Sequence, residues 1–489
     1  MPQQILQAAL AEAEKEGVYL IGRHQALRET AVVINNGSVE RIVTEQSAGL
    51  GVQVFTPEGY SGFAANDNPN QAKAREQVQQ AARLADLAQA YGGEQNRAIF
   101  KAAPLKAEFP PVRKYAFAYL PVADLTQLVI QVNKHLRELF PSVAVQTVYR
   151  EIEEVWQIVR SDGTAVAFTV PRAVLSHSRT ARAAGKSVTT RSAVAGTDVG
   201  LLLNADDLTE GNARAELMAG LAVAMLDAPA VKGGSFKLVI DYALAKGLAH
   251  EAFGHAVETD GVRTSVLGHN GKLAIGMQVA HPQVSIIDGP LEGDWAYQPI
   301  SANGIKRETV TIVDKGILAA GLGDVFSAAQ AGVSNSGAGR AESFAHIPLP
   351  RMSNIRIEVA CPIPLAKPWH QVTPKELYTL LLERNLIQPD EEVYYLLGYK
   401  GGQVNTQYGD FVFNCSAIYR LGEEPVLYQP GIFAGKTLSA LQAIKAGLGN
   451  IQCDAIGTCG KWGQAVPSSG GSHAFLVLEA NPDIKLGGE

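Results

Sequence analysis

Cysteine is scarce. The four in 489 residues, Cys361, Cys415, Cys453 and Cys459, are too few for a disulfide scaffold in a chain of this length. Charge is also thin, at 18% of residues, with 42 lysines and arginines against 48 aspartates and glutamates. No basic run stands out in that slightly acidic balance, so no nucleic-acid-binding face is expected. Nowhere do about 18 apolar residues follow one another, so no membrane-spanning helix and no membrane partner are expected. The opening segment MPQQILQAALAEAEKEG spreads charges through an amphipathic helical pattern and lacks the apolar stretch of a secretion signal. The expected compartment is cytoplasmic.

What the chain does have is enough apolar residue, 46%, for ordinary packed cores, and length for two or three domains at about 150 residues each. Asn36-Gly37, flanked by the β-rich segments of 31–43, predicts a hairpin. Pro57-Glu58-Gly59 predicts a second within 49–65, and Asp162-Gly163 a long one within 148–170. Helices are predicted over 69–90, 121–140 and 204–228, the last with Asn204 or Asp206 as cap. Pro229 and Gly233-Gly234 mark a boundary between a region 1–230 and a region 231–489. In the second region FKLVID (236–241) reads as a strand feeding a helix. Strands and glycine turns dominate beyond it, with helices near 374–385 and 437–447. The fold class is α+β: a mixed α/β N-terminal region and a strand-rich, largely antiparallel C-terminal region.

One segment carries chemistry: His250-Glu251-Ala252-Phe253-Gly254-His255-Ala256-Val257-Glu258. On an ideal helix Glu251, His255 and Glu258 share one polar sector, while Ala245, Ala249, Phe253, Ala256 and Val257 form an apolar stripe. Zinc-protease helices usually hold their histidines at i and i+4. Here the spacing is i and i+5, which a regular helix splays by about 140° and about 7.5 Å of rise. Both rings must approach within about 2.1 Å of one zinc ion. A π-type bulge with i→i+5 bonding closes that gap, and Gly254 is the residue most tolerant of distortion. An irregular helix is therefore predicted. A catalytic zinc takes three protein ligands, and the third is open between another histidine, a carboxylate such as Glu258, and a cysteine. Cys459 in Gly457-Thr458-Cys459-Gly460-Lys461 has the most suggestive setting, because a nearby lysine favours the thiolate. Cys361 and Cys415 read as small core residues.

These motifs resemble a known family. HEAFGHAVETD (250–260), GRAESFAHIPLPRMSN (339–354) and GTCGKWGQAVP (457–467) are similar, in that order, to the signature segments of TldD/PmbA metallopeptidases, on the TldD-like catalytic side. NNGSVERI with GLGVQVF, and 401–419, match more loosely. The stretch after the cysteine motif, SSGGSHAFLVLEANPD, departs from the family's valine- and glycine-rich continuation. The resemblance implies Zn2+ as cofactor, His250, His255 and Cys459 as metal ligands, and Glu251 as the catalytic carboxylate. It also implies a peptide substrate, and either a homodimer or a heterodimer with a PmbA/TldE-like subunit. Glu258 is expected to orient a ligand histidine. Arg340 and Arg351 read either as peptide contacts or as structural struts. Two rival functions share the same residues: a zinc amidase acting on a small molecule, and a peptide-binding scaffold with structural zinc. The scaffold would need a fourth ligand such as Glu258, Cys453 or His473.

Overall fold

In the computed structural model, which describes residues 2–487, the chain builds two large sheets. The first begins with a hairpin of β1 (Tyr19–Asn35) and β2 (Ser38–Phe55). Its loop places Asn36 and Gly37 at φ 50° and 83°, the left-handed pair that a tight two-residue turn requires. β3 (Ser61–Asp67) follows through the predicted turn at Gly59 and pairs antiparallel with β2. β4 (Lys106–Phe109), β5 (Val143–Arg160), β6 (Ala165–Ala183) and β7 (Lys186–Gly196) complete the sheet. Its order is β3-β2-β1-β5-β6-β4, with β7 also paired to β6. β4 alone runs parallel to its neighbour.

Helices cover this sheet. α1 (Pro2–Lys15) and α2 (Gln71–Ala90) pack through Leu6, Ala9, Val78 and Ala81 onto Leu50, Val52 and Val54. α2 starts where the Asn70 side chain accepts from Lys73 N at 3.0 Å, a side-chain cap on an otherwise unpaired amide. α3 (Val122–Leu139) and α4 (Ala205–Ala224) also lie against it, and Asn204, not Asp206, caps α4.

The second sheet begins at β8 (Lys237–Asp241), buried at every position. It continues with β9 (Val284–Gly289), β10 (Val310–Asp314), β11 (Asn354–Val359), β12 (Val393–Asn405), β13 (Asp410–Arg420), β14 (Val426–Tyr428), β15 (Ile432–Lys436), β16 (Ile444–Gln452), β17 (Gly457–Lys461), β18 (Gln464–Leu478) and β19 (Ile484–Gly487). β8 is central, parallel to β12 and antiparallel to β18. The antiparallel character expected of this half therefore has parallel exceptions here and between β11 and β18.

Two local expectations fail. The helix near 437 stops at Ala443, because residues from Ile444 onward pair with β18, and tertiary pairing overrides local propensity. Cys361, expected in the core, is exposed at φ 54°, whereas Cys415 is buried as expected. The two sheets are tied together by buried Arg23 on β1, whose guanidinium donates to Ala302 O at 2.5 Å and to Asn303 Oδ1 at 3.0 Å.

Candidate metal centre

β8 delivers the chain directly into the site. Its last residue, Asp241, accepts from Leu244 N through Oδ1 and from Gly398 N through Oδ2, both at 2.8 Å. One carboxylate thus starts the helix α5 (Tyr242–Gly247) and fastens it to β12. Burial pushes its pKa up to about 6 against these amide bonds. After Gly247 the helix widens into a π turn, Leu248–Phe253, then tightens to a 3₁₀ turn, Gly254–Val257. The predicted irregularity is there. It brings the His250 and His255 ring centres to 5.1 Å, nearly perpendicular.

Gly254 is glycine for another reason than the one expected. Its dihedrals are ordinary, φ −58° and ψ −45°, but an added Cβ would overlap the sulfur of Met352 and press on Ile355. Most of the segment is buried, His250 completely, and the polar sector points into the interior.

Cys459 arrives from the other direction, on β17, which hairpins into β18 through Trp462 and Gly463. Its Sγ lies 3.4 Å from His255 Nε2. One donor atom each from His250, His255 and Cys459 fall within 4.8 Å of one another. Donors in a tetrahedron around zinc stand about 3.5 Å apart, given bonds of about 2.0–2.3 Å, so the set needs only a modest contraction. Both ring nitrogens of His250 are buried without a hydrogen-bond partner. Two orphaned polar atoms in a close-packed interior are costly, and a metal bond to one of them relieves that cost. The residues fit the ion.

The electrostatics agree. Burial, reinforced by the charges of Lys246 and His255, keeps His250 well below the usual histidine range and therefore neutral, as a ligand must be. Burial opposes ionisation of Cys459, but the hydrogen bond and charge of His255, with Arg351, outweigh it and lower the thiol. Lys461, expected to favour that thiolate, instead binds Glu258 at 2.8 Å and Asp260 at 2.7 Å. Glu258, fully buried, accepts from His255 Nδ1 at 2.9 Å. That bond leaves Nε2 facing Cys459, the arrangement by which carboxylates orient ligand histidines. Glu251 reaches within 3.7 Å of His255 Nε2 and keeps partial exposure.

Arg340 and Arg351 behave as struts. Arg340 donates to Met352 O and Pro467 O at 2.7 Å each, and Arg351 donates to the carbonyl of Cys459. Among the candidates for a fourth ligand, His473 is engaged with Val359 and Gly449 in the core. Among the described residues the donor group comprises the three side chains alone. Sequence reasoning missed Asp241 and Lys246. An aspartate closing a strand just before helix formers is a cap signal that could have revealed the first.

A two-sheet α+β fold with a buried His–His–Cys set and an adjacent carboxylate fits a metal-dependent hydrolase. Residues 23–88 match PmbA/TldA metallopeptidase domain 1, and residues 233–462 match the PmbA/TldA metallopeptidase C-terminal domain. The chain belongs to the TldD/PmbA family of metallopeptidases. It is 28% identical to the metalloprotease TldD homolog of Haemophilus influenzae over 486 residues, covering 95% of this chain and 92% of that protein. It is 26% identical to a metalloprotease of Methanothermobacter thermautotrophicus over 478 residues, covering 96% and 97%. Among solved structures it resembles TldE from Thermococcus kodakarensis, with a TM-score of 0.75 at 15% identity, covering 99% and 100% of the two chains. No helix among the described residues is long and apolar enough to cross a membrane.

Proposed function

We propose that the chain is a zinc-dependent peptidase acting on small peptides or unfolded polypeptides, with His250, His255 and Cys459 as ligands and Glu251 as general base. The carrying observation is the orphaned, fully buried His250 beside a paired His255 and Cys459. Bound there, zinc would supply Lewis acidity to a peptide carbonyl and to water. Glu251 takes the proton of the attacking water and returns it to the departing amine. Glu258, anchored by Lys461, holds His255 in register. Arg351 fixes the β17 carbonyl beside the thiolate. A three-donor set leaves room for substrate, which favours catalysis over the closed four-ligand scaffold.

The division into 1–230 and 231–489 belongs to the same reading, supported by two sheets that share no strand. So does assembly with a TldE-like subunit or a second copy.

The decisive comparison is wild type against Glu251→Ala and Cys459→Ser, reading metal content and hydrolysis of an unfolded polypeptide. Glu251→Ala is expected to keep zinc and lose turnover, and Cys459→Ser to lose both. Full turnover in Glu251→Ala removes the base, and undiminished zinc in Cys459→Ser removes the third ligand. Cleavage of small amides but not of peptides would favour the amidase.

A further inference from the structure

A cavity of about 480 Å³ lies between the two sheets, lined among others by His177, Arg191, Lys246 and Tyr399. Lys246 and Tyr399 stand at the end of it that approaches the metal centre, since the charges of Glu251 and Cys459 act on both. The two carboxylates of the lining are already engaged. Asp241 holds two backbone amides, and Asp454 is paired with Arg214. Two of its cations are not, although Arg214 is. Arg191 and Lys246 have no ion pair among the described residues, and Lys246 is only 3% exposed. The Lys246 ammonium touches the Ser468 hydroxyl at 3.2 Å and sits beside Gly457, two residues before Cys459.

Burial lowers the Lys246 pKa against the charges of Glu251 and Cys459, and a buried ammonium with no carboxylate at ion-pair distance is expensive. An anion arriving with a ligand would give it that partner. Lys246 lies four residues, about one turn, before His250. An extended peptide advances about 3.3–3.6 Å per residue, so an anion bound there lies one or two residues from a bond cleaved at the metal. The cavity volume is within the range of pockets that enclose small ligands. Resting on the peptidase reading, the geometry points to Lys246 as the recognition residue for a peptide's free C-terminal carboxylate, held in the cavity so that one or two residues are released per cut.

The test compares tetra-alanine with its C-terminal amide. Calorimetry on the zinc-loaded Glu251→Gln protein measures binding apart from turnover. The free acid is expected to bind about ten- to a hundredfold more tightly than the amide, the range of a charge-assisted hydrogen bond. Lys246→Met should abolish that preference with zinc content unchanged, and Lys246→Arg should retain part of it. Equal affinities for acid and amide in the protein that keeps Lys246 overturn the assignment, and that comparison needs no variant of the lysine. So does a preference that survives Lys246→Met. Failure of the peptidase reading shows itself differently: the wild type cleaves neither peptide, while the acid-over-amide difference in binding is still read.

Discussion

Gly254 and Glu258 show how single residues shape the centre. Met352 occupies the space that a Cβ on residue 254 would need, and overpacking a filled core costs about 1–3 kcal/mol. Gly254→Ala is therefore expected to lower unfolding free energy by about that amount in denaturant titration, and Met352→Ala in the same chain should recover part of it. Glu258 acts through a hydrogen bond. Removing such a carboxylate typically weakens metal affinity about 10–100-fold. For Glu258→Gln, competition with a chelator should show a loss of that size, whereas an unchanged affinity would mean that His255 needs no orienting partner. The glycine's presence was legible in the sequence but its reason was not. Backbone tolerance is a local property, whereas the approach of Met352 is set by a segment about a hundred positions away.

The strand–helix unit of β8 and α5 is where local chemistry and tertiary setting meet. Hairpins at Asn36-Gly37 and Asp162-Gly163 were legible because their turn residues are sufficient in themselves. The π turn was legible because two histidines at i and i+5 can share an ion in no regular helix. The end of the helix Thr437–Ala443 was not, since pairing of β16 with β18 decides it. Asp241 ties the unit together and titrates in a window set by its burial. Its folded value near 6 lies above the ordinary value of 3.8, so the native state binds the proton more tightly than the unfolded state. The stabilisation from this proton is full below about pH 4 and is lost as pH rises through about 6, a change on the order of 3 kcal/mol. Asp241→Asn should remove that component, so that the difference in unfolding free energy between wild type and variant varies between pH 4 and 6. A difference constant across that interval would mean that Asp241 does not titrate there. Asp241→Ala, which strips the cap as well, should cost about 1–2 kcal/mol at any pH.

At the scale of the whole molecule, the centre joins segments that are remote along the chain. His255 and Cys459 are 204 residues apart, and nothing in their spacing could reveal that they meet. The setting of Cys459 suggested it and the motif resemblance singled it out, while Lys246, with no motif of its own, went unseen. An ion held by both a central helix and the β17–β18 hairpin binds the folded chain and not the unfolded one, so it stabilises by mass action. At a free metal concentration about a thousandfold above the dissociation constant, that contribution is about 4 kcal/mol. Chelation should therefore lower the melting temperature of the wild type by several degrees, and restored zinc should return it. Cys459→Ser should melt near the chelated wild type and be insensitive to chelator. Glu251→Ala, which leaves all three donors in place, should respond to chelator as the wild type does. If chelator left the wild-type transition unmoved while zinc was demonstrably removed, the ion would have to sit where it joins no two parts of the fold, and the His250–His255–Cys459 assignment would fail with it.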